Sequence, residues 1–240
     1  MHSPPTKPKP PAAVALVKFS QQRRRILAAL LSFTLATPVW AQQASQSPPT
    51  AQPPALSSAD QTLIAQVEAY LNSQSAITAN FLQVADDGST RTGKAWMARP
   101  GRMRFEYDPP DPQLLVAGFG ALVYHDPQLN QTTNIPLGST PLGILLAQHV
   151  DLDSAGVIVT NIDREPGEYD ITLQRKGKAA LGSLTLVFGA NPLELRQWVV
   201  TDTQGRQTRV SLYDIAPSGP LPDSLFQYSL GPLSGRHGSN

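Results

Sequence analysis

GKAWMARPGRMRFEY, residues 93–107, decides how the rest of this chain is read. It scans as two strands reversing at Arg99-Pro100-Gly101. Ala95, Met97 and Arg99 fall on one face of the first strand, and Lys94, Trp96 and Ala98 on the other. Beyond the turn, Met103, Phe105 and Tyr107 share a face, with Arg102, Arg104 and Glu106 opposite. A period of two is the mark of a sheet with one apolar and one wet side. Proline fixes φ and glycine relieves a strained corner, so Pro-Gly suits a reversal. Arg99 is the odd member, because alternation through the corner sets a guanidinium among apolar side chains. A strand-end arginine fanning into water is the plain alternative.

Outward from this stretch, the chain reads as strands between turn signals. Upstream, Ser58 and Gln61 have capping-box spacing, and Leu63, Ile64, Val67, Tyr70 and Leu71 recur as one helical stripe ending near Asn72. Strands are expected at 77–84, 91–98 and 102–107, then at 114–117, 121–125 and 131–135. Further strands follow at 157–163, 169–175, 181–188, 193–201 and 206–215, with one more candidate at 224–229. The run from Leu137 to Asp151 breaks this rhythm. Ser139 and Thr140 are possible caps, Pro141 suits a first turn, and Leu142, Ile144, Leu145 and Leu146 follow, so one short apolar helix is expected there. The fold class is therefore mainly β with α, a meander of antiparallel strands.

Composition sets bounds. The 240 residues contain no cysteine, which excludes disulfides, thiolate zinc sites, thiol catalysis and a lipidated N-terminal cysteine. Lys7, Lys9, Lys18 and Arg23 to Arg25 precede every acidic residue. An apolar run over 26–37, too short to span a bilayer, leads to Ala41. This is the pattern of a secretory signal in residues 1–41, cleaved after Ala41, with an N-terminal membrane anchor as the alternative. Arg23-Arg24-Arg25 matches a twin-arginine signal only loosely. Residues 42–56 read as a disordered linker, 57–232 as the folded domain and 233–240 as a polar tail. Without the leader, 13 Lys and Arg face 18 Asp and Glu, a net −5 that suits nucleic acid poorly.

Catalytic constellations are absent from the sequence. There is no Gly-x-Ser-x-Gly, phosphate loop or His-Glu-x-x-His. His149, Asp151 and Asp153 come closest to a metal or general-base cluster, but at a helix exit they read as solvated loop. Asp108 and Asp111 flank prolines and read as turn formers. No enzyme, cofactor or metal is expected, and a secreted hydrolase is disfavoured. What the sequence offers is a curved sheet whose apolar face has one helix and one short insert to cover it. An incomplete or movable cover would make that face a cavity for something apolar; a filled core is the alternative.

At these residues the chain resembles the periplasmic outer-membrane lipoprotein carrier family, LolA. The resemblance is carried by Phe81-Leu82-Gln83, by Gly93 to Pro100 with Trp96 and Arg99, and by Phe105 and Tyr107. Val123 to Asp126, Thr140-Pro141-Leu142 and Phe226-Gln227-Tyr228 extend it over roughly residues 60–232. It implies an incomplete antiparallel β-barrel, a half-barrel, with an N-terminal helix and a short helical lid over its hydrophobic concave face. It also implies a soluble periplasmic monomer that binds acyl chains of lipoproteins. These would come from an inner-membrane ABC-type release complex and pass to an outer-membrane receptor. A related binder of another lipid or hydrophobic small molecule is the alternative. The cavity is expected from Phe81, Met97, Met103, Phe105, Leu115 and Tyr124, with Leu142, Ile144 and Leu145 from the lid. Arg99, matching the family's motif arginine, is expected to latch lid carbonyls. Two departures bear on cavity width: Met103 replaces a phenylalanine, and Gly143 a bulkier lid residue.

Overall fold

In the computed structural model, which describes residues 56–228 apart from 111 and 155, strand order follows chain order except at one place. β1 (Ala76–Val84), β2 (Thr90–Ala98), β3 (Arg102–Tyr107), β4 (Leu114–Gly118), β5 (Ala121–Asp126) and β6 (Gln131–Pro136) run outward as a meander. The chain then passes to the opposite edge. It returns through β7 (Val157–Glu165), β8 (Glu168–Arg175), β9 (Ser183–Ala190), β10 (Leu193–Thr201) and β11 (Gln207–Pro217), which pairs with β1. The sheet order is β6-β5-β4-β3-β2-β1-β11-β10-β9-β8-β7, every pairing antiparallel. β6 and β7 are its two edges. The sheet is thus open and antiparallel, as the alternation foretold, and its half-barrel form is the one the family resemblance implies.

The deciding stretch folds as read. Ala95 faces Phe105 and Met97 faces Met103 across β2 and β3, and Gly93, Ala95, Met97, Met103, Phe105 and Tyr107 are all buried. Gly93 has a specific reason to lack a side chain: a Cβ there would strike the Glu106 carbonyl and the Phe81 ring. Gly101 turns the corner at φ +65°.

Helix α1 (Ser58–Ser73) lies on the inner face through Leu63, Ile64, Val67 and Leu71. Its cap sits one residue earlier than expected. Ser57 Oγ accepts from the Asp60 amide at 3.1 Å, and Asp60 Oδ2 accepts from the Ser57 amide at 3.2 Å. A carboxylate at this position suits the positive end of the helix dipole better than Gln61 would. It also pairs with Arg164 of β7 at 2.6 Å. Ser57 first, then Arg164, hold the Asp60 carboxyl below its usual range.

Two expected elements take other forms. Residues 137–151 contain no α-helix. Leu137–Ser139 and Pro141–Gly143 are single 3-10 turns, followed by irregular turns. Thr140, Ile144 and Ala147 donate three residues back, and only Leu146 donates four back, to Leu142. The next two carbonyls bind elsewhere: Leu145 to Arg99 and Leu146 to the Gly101 amide. Contacts across the face have overridden local helix propensity. The candidate strand at 224–229 is likewise replaced, by a 3-10 turn over Asp223–Phe226. It lies on the outer face, where Phe226 packs with Ala76, Ala98 and Val116, flanked by Trp96, Leu221 and Leu225. That outer patch is apolar, so something had to cover it. Arg104 donates to the Leu225 carbonyl at 3.1 Å, and Arg102 pairs with Asp223 at 2.5 Å. The leader reading for residues 1–41, the linker reading for 42–56 except Leu56, and the tail reading for 233–240 lie outside the described residues.

Phe226→Ala is expected to cost about 3 kcal/mol by removing the centre of this outer cluster. Denaturant midpoints measure the loss, and limited proteolysis should cut first within 218–228.

Candidate functional site

The passage from β6 to β7, residues 137–156, has to travel from one edge of the sheet to the other. It does so over the inner face. Leu142, Ile144, Leu145, Leu146, Val150 and Leu152 are buried in the same cluster as the α1 stripe and the inward side chains of the sheet. The connection is therefore also the cover.

Polar bonds to its backbone hold this segment down. Arg99, half-buried at the end of β2, donates from Nε to the Leu145 carbonyl at 3.1 Å. Its Nη1 donates to the carbonyls of Leu71 and, at 3.1 Å, Gln74. Those two carbonyls end α1, whose last turn has no basic residue of its own. The guanidinium thus supplies, from the sheet, the cation that a helix C-terminus favours. Burial pushes the Arg99 pKa down and the neighbouring Tyr70 opposes it, yet an arginine stays charged. Asn72 adds a reciprocal pair with the Val150 backbone, both bonds 2.9 Å, and Glu68 accepts from the Leu152 amide at 2.6 Å. The inward Arg99 of the sequence pattern is therefore real.

Beneath residues 140–142 lies a cavity of about 110 Å³. β3 gives it Met103, Phe105 and Tyr107; β4 and β5 give Leu115, Leu122 and Tyr124. The opposite wall is Trp198, Val200 and Val210 of β10 and β11. One end is polar, formed by Gln83, Asp202, Arg206 and Thr208. A second cavity of about 30 Å³ lies beside Arg99, against Met97, Leu71 and Leu145.

Five of the residues singled out from sequence meet at the main cavity: Met103, Phe105, Leu115, Tyr124 and Leu142. Met97 and Leu145 instead line the smaller one. Phe81 and Ile144 line neither. Phe81 is fully buried behind Phe105 and Tyr107, ring centroids 4.5 and 5.1 Å away, and Ile144 fills the core. The wall from β10 and β11 was not foreseen. A bulge between Leu195 and Gln197 breaks the period of two there, so Leu195 and Trp198 both point inward at odd spacing. Only the pair Trp198 and Val200 kept a readable rhythm. His149, Asp151 and Asp153 alternate outward with buried Val150 and Leu152, an exposed turn. Among the described residues, no group of three or more His, Cys, Asp or Glu is arranged to hold a metal.

Comparison with known proteins gives consistent relatives. The profile described as "Outer membrane lipoprotein carrier protein LolA" matches residues 72–229. The outer-membrane lipoprotein carrier protein of Methylococcus capsulatus is 29% identical over 182 residues, covering 72% of this chain and 86% of that protein. Its counterpart in Pseudomonas putida is 30% identical over 171 residues, covering 67% and 79%. Among solved structures, a LolA superfamily protein from Nitrosomonas europaea aligns with TM-score 0.42 and 10% identity, covering 70% of this chain and 97% of that one.

Gly143 offers a direct probe of the cover. A Cβ there would stand 2.7 Å from the Leu137 carbonyl oxygen and 2.6 Å from Arg175 Nη2. Gly143→Ala is expected to lift the 137–146 segment without unfolding the sheet. An apolar fluorescent dye should then brighten while far-UV circular dichroism holds steady; an unchanged dye signal would mean the segment absorbs the methyl in place.

Proposed function

The chain belongs to the outer membrane lipoprotein carrier protein LolA family, and from that premise we propose that it carries acylated lipoproteins through the periplasm. It is a carrier, not an enzyme. It receives its cargo from an inner-membrane ABC-type release complex and delivers it to an outer-membrane receptor, working as a monomer without a cofactor. Cleavage near Ala41 accompanies export and frees the mature chain. Among the described residues no helix is long and apolar enough to cross a membrane.

One observation supports this reading above others: an apolar cavity roofed by a segment that is fastened through Arg99 and other polar groups to backbone atoms. A sixteen-carbon chain left in water costs on the order of 10 kcal/mol, so acylated cargo needs a cover in an aqueous compartment. The present cavity is too small to supply one. An apolar cavity of about 150 Å³ holds only a benzene-sized guest. Loading therefore requires the cover to leave. The four side chains it would withdraw, Leu142, Ile144, Leu145 and Leu146, are each worth about 1.5–3 kcal/mol of burial. Together they are of the same order as one acyl chain. Exchange of cover for cargo is then close to balanced, which is what a carrier that must also release demands. Burial is non-directional, so Met103, Phe105, Leu115 and Tyr124 can line the path of chains that differ in detail.

Purifying the mature protein from periplasm and weighing extracted material by mass spectrometry tests the cargo. Acylated protein is expected; a glycolipid or small hydrophobic compound in its place would redirect the reading to a binder of that class. Arg99→Met tests the latch. Loss of charge-assisted bonds is expected to leave the sheet folded, open the cavity to an apolar dye, and slow hand-over to outer membranes about tenfold. Delivery at the parental rate would remove Arg99 from the mechanism.

A further inference from the structure

The amide and charged side chains of the main cavity, Gln83, Asp202 and Arg206, share one end, which the strand registers locate; Tyr124, Thr133 and Thr140 add hydroxyls elsewhere on its lining. Gln83 faces Arg91 and Val210 across the sheet, and Gly93 faces Tyr107. Asp202 and Arg206 flank the neighbouring turn at 203–205. All therefore cluster where β1–β2 and β10–β11 turn, away from Met103 and the Arg99 corner.

Gln83 is only 6% exposed, yet it lines the cavity. Its Oε1 accepts the Tyr107 hydroxyl proton at 2.8 Å. Burial pushes the Tyr107 pKa up, so the phenol keeps that proton. The amide is oriented by this bond, which leaves Nε2 without a hydrogen-bond partner among the described residues. Two N–H donors thus stand at the wall of an apolar space. Once hydrocarbon fills the cavity and excludes water, donors of this kind are costly unless something accepts from them. The acceptor that fits is neutral and terminates a hydrocarbon. A neutral carbonyl needs no cation of its own; Arg206 at this end is engaged by Asp202 through bonds of 2.8 and 2.6 Å, and Arg91 stands across the ladder from Gln83.

We propose that Gln83 Nε2 donates to the ester or amide carbonyl at the head of an acyl chain lying in the opened cavity. The site then reads the acyl linkage as well as the hydrocarbon, and it fixes a polarity, with the carbonyl at the turn end and the methyl toward the Arg99 corner. This rests on the carrier reading of the same cavity.

Displacement of an apolar fluorescent dye from the mature chain tests it, with methyl palmitate and hexadecane as probes. The parental protein should prefer the ester about fivefold, the worth of one hydrogen bond. Gln83→Met, similar in volume but without donors, should bind both probes equally. Gln83→Glu keeps an acceptor for Tyr107 and should also lose the preference, which covers the case in which the methionine variant fails to fold. A preference retained in either folded variant overturns the proposal. A parental protein from which neither probe displaces dye overturns the carrier reading itself. A dipalmitoyl phospholipid and a triacylated lipopeptide, run as further arms, separate the two sources of such a carbonyl. Weakening of either by Gln83→Met supports the proposal; indifference of both overturns it.

Discussion

A single guanidinium ties together three parts of this molecule: a strand end, a helix end and the crossing segment. Arg99 reaches from the end of β2 to the last carbonyls of α1 and to the carbonyl of Leu145 in the crossing segment. Each of those oxygens would otherwise need water in a place where burial leaves little. The arrangement satisfies the helix end and fastens the cover with the same donors. It is also cheap to undo. When the cover lifts, the carbonyl and the guanidinium both find water, so the net worth of each bond is small compared with its strength in isolation. The apolar contacts beneath then decide whether the segment stays.

Topology explains why a cover exists at all. A sheet that meanders outward to β6 and resumes at β7 must send its chain from one edge to the other. The inner face is the path observed, and apolar side chains at 142, 144, 145, 146, 150 and 152 make it favourable. The hydrogen bonds that fix the segment engage its main chain: Arg99 and Gly101 donate to its carbonyls, Asn72 both donates and accepts, and Glu68 accepts. Side chains are thereby released for packing alone. The division is useful: polar groups set where the segment sits, and hydrocarbon sets how firmly.

Much of this was legible in the sequence because period two survives wherever a strand is regular. Residues 93–107 declared both faces of β2 and β3, and the i, i+4, i+7 spacing declared the buried stripe of α1. Legibility failed where tertiary contacts displaced local preference. The apolar run after Pro141 promised a helix, but its carbonyls are taken by Arg99 and Gly101. Ser58 and Gln61 looked like a capping box, yet Ser57 and Asp60 form it, since Asp60 also meets Arg164 from β7. Phe226 read as strand because nothing local reveals an apolar patch on the outer face. Trp198 was hidden by a bulge, which shifts a side chain across the sheet without leaving any mark in composition. Of the cavity residues, Met103, Phe105, Leu115 and Tyr124 were found on regular strands, while Leu122, Ile135 and the wall from β10 and β11 were not.

A half-barrel has a liability that a closed barrel escapes, because among the described residues β6 and β7 each have an edge with no partner strand. Another copy's strand could extend the ladder indefinitely. The two rims meet this differently. β6 is built from Gln131, Thr132, Thr133 and Asn134 and ends in Pro136, which has no amide proton to offer. β7 carries Asp163 and Glu165, set directly opposite Asp170 and Glu168. That crowding is felt inside the molecule: burial first, then Glu168 and Asp163, push the Asp170 carboxyl up. The hairpin sacrifices some local comfort, and in return any foreign strand approaching that rim meets a field of negative charge. Openness toward cargo and resistance to stacking into fibres are thus settled on different borders of the same sheet.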